Sequence, residues 1–363
     1  MLWNGKGLTI GNLTSKLPIV QGGMGIGISL SGLAAAVANA GGIGVISAAG
    51  IGMMEKDYTS NFLEANLRAL RAEIQKARSM TKGILGVNIM VAMNHFGDIV
   101  NTVIEEKIDI IFVGAGIPLT LPSHLTPGSK TKLVPIVSSA KAAALIAKRW
   151  LDKYQYAPDA FVVEGPLAGG HLGFNVEQLD HPDYQLGKIV VDVVEEVKKI
   201  EERAGKAIPV IAGGGVYTGA DIYKLLQLGA SGVQMATRFV TTFECDASDA
   251  FKQTYIDCAK EDIVIIKSPV GMPGRAILND FVRDVNAGNK RPYVCPYHCI
   301  ITCKEDSSPY CITLALMNAK RGRLEHGFAF AGANAYRADK IISVQELMDT
   351  LTQEYNAAVV ANG

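Results

Sequence analysis

Short apolar runs alternate with amphipathic segments along the first 260 residues of the chain. The runs are rich in β-branched residues and are apolar almost throughout, a pattern typical of parallel strands that are buried on both faces. We predict eight strands, at Pro18–Gln21, Ile43–Ser47, Ile84–Met90, Ile108–Val113, Leu133–Val137, Phe161–Glu164, Pro209–Ala212 and Gly232–Met235.

The segments between these strands have the spacing of amphipathic helices. Helices are predicted at Leu30–Ala40, Asn61–Met80, Gly97–Lys107, Ala140–Tyr154, Lys188–Ala204, Ala220–Leu228 and Ala250–Lys260, with a weak candidate near Pro118–Leu125. Eight strands that are each followed by a helix or a long connection indicate a barrel, and a doubly wound sheet is the alternative.

The positions of the glycines favour the barrel. A dinucleotide-binding sheet would carry G-x-G-x-x-G after its first strand, and no Gly-x-Gly of this chain has a further glycine three positions on. Instead, Gly213–Gly215 follow the seventh strand and Gln234–Thr237 end the eighth. Barrels commonly build phosphate sites from these two loops. We therefore predict an α/β fold of the TIM (β/α)8 barrel type.

The alternation stops at about residue 261. Ile263–Lys267 resembles a strand, Ser268–Gly274 resembles a turn-rich connection, and a charged helix is predicted at Ser343–Tyr355. We predict a barrel domain over residues 1–260 and a smaller mixed appendage over residues 261–363 that covers the barrel mouth, where specificity loops usually lie.

Composition and charge narrow the class of partner. Hydrophobic residues make up 48% of the chain and charged residues 19%, so a large core is expected rather than disorder. The 35 basic and 35 acidic residues cancel, so neither nucleic acid nor an anionic membrane is expected as a partner. Pro18 to Met54 carry no charge, but ten glycines divide this stretch, and no spanning helix is expected. The N-terminus lacks a secretory pattern, so a cytoplasmic protein is expected.

Two groups of polar or flexible residues follow early strands. Gly22 and Gly23 let the backbone approach a flat ligand, and Met24 can pack on an aromatic ring system; a simple tight loop is the alternative. Asn88 closes the third apolar run, where an amide suits a flavin edge or a nitro group, or else caps the next helix.

A third group follows the sixth strand. Glu164 is followed by the pair Gly169 and Gly170 and then by His171. An imidazole titrates near neutral pH and is the usual general base, so we predict that His171 is catalytic; a structural histidine is the alternative.

The two glycine-bearing loops after the seventh and eighth strands form the fourth group. Successive amides of Gly213–Gly215, together with the helix N-terminus near Thr218, predict an anion-binding nest. Gln234, Ala236 and Thr237 complete this prediction, and plain helix–strand packing is the alternative.

Two further motifs leave alternatives open. Ser138 to Lys141 satisfy S-x-x-K, but the other β-lactamase signatures are absent, which argues against a serine nucleophile. Cys295, Cys299, Cys303 and Cys311 are numerous enough for zinc or an iron–sulfur cluster but lack a C-x2-C pair. At helical spacing the first three would share one face and could simply pack, so no metal ligand is assigned.

Four segments carry a resemblance to a known family: PIVQGGMG (18–25), AGGHLG (168–173), PVIAGGG (209–215) and GASGVQMATRF (229–239). The chain resembles the nitronate monooxygenase (2-nitropropane dioxygenase) family of FMN barrels and its FMN-dependent enoyl-acyl carrier protein reductase relatives. Proline often precedes the methionine of the first loop in that family, where this chain has Gly23, and arginine often follows the histidine, where it has Leu172.

The resemblance implies an FMN site and a role for the histidine. His171 would lie above the flavin ring and deprotonate neutral nitroalkanes, and the glycine loops would hold the phosphate. Residues and resemblance together predict cofactor binding by Gly22, Gly23, Met24, Asn88, Ser138, Glu164, Gly169, Gly170, Gly213, Gly214, Gly215, Gln234, Ala236 and Thr237.

Three functions are considered on this basis. The first is oxidation of alkyl nitronates with O2 to carbonyl compounds and nitrite. The second is an NAD(P)H-dependent reductase of enoyl thioesters or quinones, towards which Gly23 and Leu172 point. The third is a barrel that binds a ligand without catalysis, because a fold does not fix a function. Small-molecule substrates are expected in the first two cases. A homodimer is considered as the oligomeric state.

Overall fold

Eight parallel strands form a closed barrel at the centre of the molecule. The computed structural model describes residues 2–290, 295 and 297–362. In chain order, the strands of the molecule are β1 (Thr9–Ile10), β2 (Leu13–Thr14), β3 (Ile19–Gln21), β4 (Gly44–Ser47), β5 (Leu85–Met90), β6 (Ile110–Gly114), β7 (Lys132–Val137), β8 (Phe161–Glu164), β9 (Gly170–His171), β10 (Val210–Gly213), β11 (Gly232–Met235), β12 (Ile263–Lys267) and β13 (Pro273–Ile277). The barrel order is β3-β4-β5-β6-β7-β8-β10-β11, and β11 pairs with β3.

The helices pack around this barrel or lie in the appendage. They are α1 (Ser31–Asn39), α2 (Phe62–Met80), α3 (Phe96–Glu105), α4 (Ala140–Tyr154), α5 (Leu186–Ala204), α6 (Gly219–Gln227), α7 (Thr237–Val240), α8 (Asp249–Asp257), α9 (Asp280–Asn286), α10 (Ile312–Lys320) and α11 (Val344–Asn362). All eight predicted barrel strands and the predicted TIM barrel are confirmed. The weak candidate near Pro118–Leu125 is a short 3₁₀ turn at Leu121–His124.

The seam between β3 and β4 is the shortest pairing of the barrel and is reinforced by a side chain. The backbone pairs only through Val20 and Ile43. Gln21 is fully buried, and its amide accepts a hydrogen bond from the Val45 N–H at 2.9 Å and donates one to the Gly22 carbonyl at 2.6 Å. This buried glutamine therefore supplies bonds that a longer strand would supply through its backbone.

Apolar residues on both faces of each strand create two cores. Val20, Val45 and Val162 point into the barrel, while their neighbours Ile19, Ile46 and Val163 face the helices, and all six are buried. The β1–β2 hairpin, which the sequence analysis missed, packs on the inner core, because Leu8 and Ile10 belong to the same cluster.

The last helix belongs to the barrel wall. α11 contacts α6 and α1, so it fills the position of the eighth barrel helix. Tyr355 of α11 also stacks on Trp3, with ring centroids 3.8 Å apart. The predicted domain boundary at residue 260 stays a prediction. The appendage was predicted to cover the barrel mouth as far as residue 363, and this is wrong for α11, which packs on α6 and α1. Sequence order placed it in the appendage, whereas helix packing places it in the wall.

The rest of the appendage lies over the carboxyl ends of the barrel strands. β12 pairs with β13, and β13 pairs with β9, which belongs to the loop after β8. The turn expected at Ser268–Gly274 is therefore shorter than predicted, because Pro273 and Gly274 begin β13. Among the described residues, no helix has both the length and the apolar character needed to cross a bilayer.

Candidate active site

A cavity of about 540 Å³ opens at the carboxyl ends of the barrel strands. Its walls include all fifteen residues singled out from the sequence: Gly22, Gly23, Met24, Asn88, Ser138, Glu164, Gly169, Gly170, His171, Gly213, Gly214, Gly215, Gln234, Ala236 and Thr237. The size is that of a small-molecule or cofactor pocket. The structure thus brings these residues together, while their individual roles stay predictions.

The first-loop glycines lie against the strand that carries Asn88. The Gly22 N–H donates to the Met235 carbonyl at 2.8 Å, and a Cβ on Gly23 would overlap the Cβ of Asn88. Asn88 lies inside β5, and α3 begins at Phe96, so the alternative that Asn88 caps the next helix is wrong. The amide instead faces the cavity.

His171 is held between the barrel and the appendage. It pairs with Gly274 across the β9–β13 ladder, and its Nε2 lies 2.7 Å from the Ser268 hydroxyl oxygen. Phe330 meets the imidazole edge-on, with ring centroids 5.0 Å apart. Burial lowers the pKa of His171 to about 4, so the imidazole is neutral at pH 7 and has a nitrogen able to accept a proton.

Arg275 fixes the loop that leads to this histidine. Its guanidinium is buried and donates to the carbonyl oxygens of Pro166 and Ala168, at 2.7 and 2.5 Å. Gly170 pairs with Arg275 in the same ladder. One side chain therefore joins β13 to the chain immediately before His171.

Replacement of Arg275 by leucine is expected to lower the free energy of unfolding by about 2–4 kcal/mol, because one buried and one partly buried carbonyl lose a charged donor. Guanidinium denaturation of the full chain measures this. Arg283→Leu is the matched control, since Arg283 is exposed and pairs with an exposed Asp280; it is expected to change stability by less than about 0.5 kcal/mol. Equal losses of unfolding free energy in the two variants would contradict this stabilising role of Arg275.

Glu164 brings a carboxyl group into the same cavity. It lies deep, and burial raises its pKa to about 7, while a hydrogen bond from the Gly173 backbone acts in the opposite direction. The Ser138 hydroxyl is 3.4 Å from the Gly173 carbonyl, so Ser138, Glu164 and Gly173 form one side of the wall.

His171 and Glu164 are expected to give the flavin-free protein opposite pH dependences of stability. Below pH 6.5 the unfolded chain protonates its histidine while folded His171 stays neutral to about pH 4, so acid destabilises the fold. Folded Glu164 keeps its proton to about pH 7 while the unfolded chain loses it near pH 4.5, so rising pH destabilises the fold.

The variants His171→Gln and Glu164→Gln should separate these effects. Between pH 4.5 and 6.5, His171→Gln should become less stable with rising pH relative to the parent, and Glu164→Gln more stable, each by up to about 3 kcal/mol. Denaturation at a series of pH values measures both, with the exposed His326→Gln as control. Parallel profiles in all four proteins would count against these pKa shifts.

The glycine loop after β10 turns as predicted, but the N-terminus of α6 that follows it differs from the prediction. Gly214 and Gly215 both have φ of +95°, which suits glycine and turns this loop sharply. At the N-terminus of α6, however, the Thr218 N–H donates to Asp221 and the Gly219 N–H donates to Glu354, at 2.9 and 2.7 Å. The predicted contribution of this helix end to an anion site is therefore wrong, because carboxylates already bind there.

Several residues near the site were missed from the sequence. All lie in the region after residue 260 and carry no motif: Ser268, Arg275, Phe330 and Asn334, whose amide donates to the Gly215 carbonyl at 2.7 Å. A Gly/Pro-rich turn at 268–274 was the only available signal for any of them.

The four clustered cysteines line a second cavity of about 240 Å³ beside the first. Three residues, Cys299, Ile300 and Ile312, belong to the walls of both cavities. Among the described residues, no three Cys, His, Asp or Glu side chains are gathered around one metal-ion position. We call this space the thiol cavity.

Comparison with known proteins assigns the family. The chain matches the family described as nitronate monooxygenase over residues 7–354. It is 30% identical over 273 residues to a Mycobacterium tuberculosis protein named (3aS,4S,5R,7aS)-5-hydroxy-7a-methyl-1-oxo-octahydro-1H-indene-4-carboxyl-CoA dehydrogenase, covering 75% of this chain and 66% of that protein, just under two thirds of its length.

Two further similarities agree with this assignment. A probable nitronate monooxygenase of Staphylococcus aureus is 27% identical over 311 residues, covering 78% of this chain and 81% of that protein. The solved structure of FabK from Thermotoga maritima superimposes with a TM-score of 0.73 at 28% identity, covering 95% of this chain and 94% of that one. The predicted resemblance and oxidoreductase class are confirmed, and a flavin is the cofactor expected of this group. The chain belongs to the nitronate monooxygenase family of oxidoreductases.

Proposed function

We propose that the protein is an FMN-dependent oxidoreductase that oxidises alkyl nitronates with O2 to carbonyl compounds and nitrite. The observation that carries the proposal is that fifteen residues chosen for flavin chemistry line a single cavity with a neutral imidazole in its wall. The family assignment over residues 7–354 supports the same reaction.

The residues of the cavity fit FMN. Met24 offers a polarisable side chain for a ring system, while Asn88 and Gln234 offer amides for its polar edge. The turn at Gly213–Gly215 and the start of α7 at Thr237 offer backbone N–H groups for a phosphate without a net positive charge. A bound FMN would supply the electron acceptor for substrate oxidation.

The chain's own residues would bind the substrate and handle its proton. His171 is neutral and buried, so it would accept the proton that a neutral nitroalkane must lose before oxidation. Ser268 would orient the imidazole of His171 through its hydrogen bond. The ring of Phe330, which meets the imidazole edge-on, would restrict its rotation. Val270 and Met272 line the cavity from the appendage and would exclude water from an alkyl chain.

The direct test is to mix the purified FMN-loaded protein with ethyl or propyl nitronate under air. Oxygen uptake with release of nitrite and the matching carbonyl compound is the expected result. Absence of both oxygen uptake and nitrite from a protein with bound FMN would end this proposal. A protein that is colourless and takes up no added FMN would favour the non-catalytic barrel.

A second candidate is an NAD(P)H-dependent reductase of enoyl thioesters. The specific observation is that a Cβ added at Gly23 would overlap the Cβ of Asn88. No side chain fits at position 23, so the proline that is common there in nitronate monooxygenases is excluded in this chain. The similarities to FabK and to a protein named as a carboxyl-CoA dehydrogenase, whose substrate is a CoA thioester, point the same way.

Anaerobic addition of NADH or NADPH separates the two candidates. Rapid bleaching of the yellow colour, followed by recovery with an enoyl thioester, favours the reductase. An oxidised spectrum that persists under NAD(P)H and bleaches with an alkyl nitronate favours the first proposal. Homodimer formation stays a prediction.

A further inference from the structure

The thiol cavity gathers four cysteines, although the chain between Cys299 and Cys303 is not helical. From Tyr297 to Lys304 the chain forms no helix, and Ile300 pairs with Met93 in an isolated bridge. The alternative that Cys295, Cys299 and Cys303 pack as one helix face therefore does not explain their convergence. Hydrogen bonds hold the segment to the barrel mouth, from the Ile301 N–H to the Ala92 carbonyl at 2.9 Å and from the Asn94 N–H to the Cys299 carbonyl at 3.1 Å.

A buried hydroxyl without a hydrogen-bond partner lies beside the segment that carries these cysteines. Tyr58 is only 4% exposed, and its hydroxyl has no hydrogen-bond partner among the described residues. Its ring contacts Tyr297, with centroids 5.0 Å apart. A buried hydroxyl without a partner destabilises the fold, so a group that accepts this hydrogen bond would be stabilising.

The thiol cavity is larger than the space that a single metal ion needs. Tetrahedral zinc, with Zn–S bonds of about 2.3 Å, holds its sulfur atoms roughly 3.8 Å apart. The described ligand side chains do not converge in that way. The cavity of about 240 Å³ is many times the roughly 10–15 Å³ that one water molecule needs on the same measure, so the wall that carries the thiols leaves room for a group of several atoms.

We propose that the thiol cavity binds an iron–sulfur cluster through Cys295, Cys299, Cys303 and Cys311. Four thiolates are the common ligand set of such clusters, and their sulfur atoms accept hydrogen bonds. The Tyr58 hydroxyl donates one of these bonds and thereby gains its partner. Because Cys299 lines both cavities, the cluster lies beside the proposed FMN site, and its presence does not depend on the reaction carried out there.

The test begins with the full chain purified without air. Iron, acid-labile sulfide, zinc and flavin are measured per chain, and the dithionite-reduced protein is examined by electron paramagnetic resonance. We expect equal amounts of iron and sulfide, about two or four of each, and a resonance signal of a reduced cluster. One zinc per chain without sulfide, or a chain that stays iron-free after reconstitution with ferrous iron and sulfide, overturns the proposal.

Variants then assign the ligands. Each of Cys295→Ser, Cys299→Ser, Cys303→Ser and Cys311→Ser should at least halve the iron content and abolish the parent signal. Cys245→Ser and Cys258→Ser are matched controls, because both thiols are buried outside this cavity, and they should retain full iron. Equal iron loss in ligand and control variants would contradict the assignment.

Tyr58→Phe tests the hydrogen bond separately. It should retain iron and sulfide while shifting the midpoint potential and the resonance signal, because hydrogen bonds to the sulfur atoms tune both. An unchanged potential would remove Tyr58 from the proposal. Flavin content is measured in every variant, so loss of the cluster and failure of FMN binding remain distinguishable.

Discussion

Replacement of His171 by alanine is expected to lower kcat/KM for neutral nitroalkanes by about 10²–10⁴-fold, the usual contribution of a positioned general base. The imidazole is neutral, because burial keeps its pKa at about 4, and it lies in the cavity wall between Ser268 and Phe330. Its removal should leave flavin binding almost intact, since the predicted phosphate loops lie on β10 and β11.

Comparing two substrate forms makes this prediction specific. A nitronate prepared in advance has already lost its proton, so His171→Ala should oxidise it at close to the parental kcat/KM. His326→Ala serves as control, because this histidine is exposed and lies outside the cavity. An equal loss of kcat/KM on both substrate forms would show that His171 binds the substrate and does not act as the base.

The pH dependence offers an independent check on the same residue. For neutral nitroalkanes, the His171-dependent part of kcat/KM should fall on the acid side near pH 4, rather than near the ordinary value of 6.5. A fall centred near pH 6.5 would contradict a desolvated imidazole.

The barrel was predictable because its strands are continuous apolar runs bounded by glycine or proline. Phe161–Glu164 and Gly232–Met235 were predicted with their observed ends. The two-residue strand β9 could not be found in this way, because it exists only through pairing with β13, about a hundred residues later in the sequence. α10 was also missed, because its nine residues are too few to show a clear amphipathic period.

The site was predictable where local glycine patterns follow barrel strands, because the fold brings all such loops to one end. It was not predictable where distant residues act on these loops. Glu354 of α11 binds the N-terminus of α6, and Asn334 binds the Gly215 carbonyl; neither partner is near in sequence. The predicted anion site therefore has fewer contributing groups than expected, and it would depend on the turn at Gly213–Gly215.

Replacement of Gly214 by alanine should consequently weaken FMN binding by at least about a hundredfold. The backbone at Gly214 has φ of +95°, and an added Cβ would lie 2.7 Å from the carbonyl oxygen of Gly165. That neighbour is backbone at the end of β8 and cannot rotate away. The turn can relieve the overlap only by moving, which removes its amides from the cavity; strain and a lost donor together amount to about 3 kcal/mol.

Gly205→Ala is the matched control for this prediction. Gly205 ends α5 with φ of +66°, and an added Cβ would meet no atom within 4 Å. This variant should therefore lose about 1 kcal/mol of unfolding free energy from backbone strain alone, with unchanged FMN affinity. Fluorescence titration of both flavin-free variants with FMN measures the difference. Of these two positions, only 214 lies in the predicted phosphate loop. Comparable FMN affinity in Gly214→Ala and Gly205→Ala would therefore place the phosphate elsewhere in the cavity.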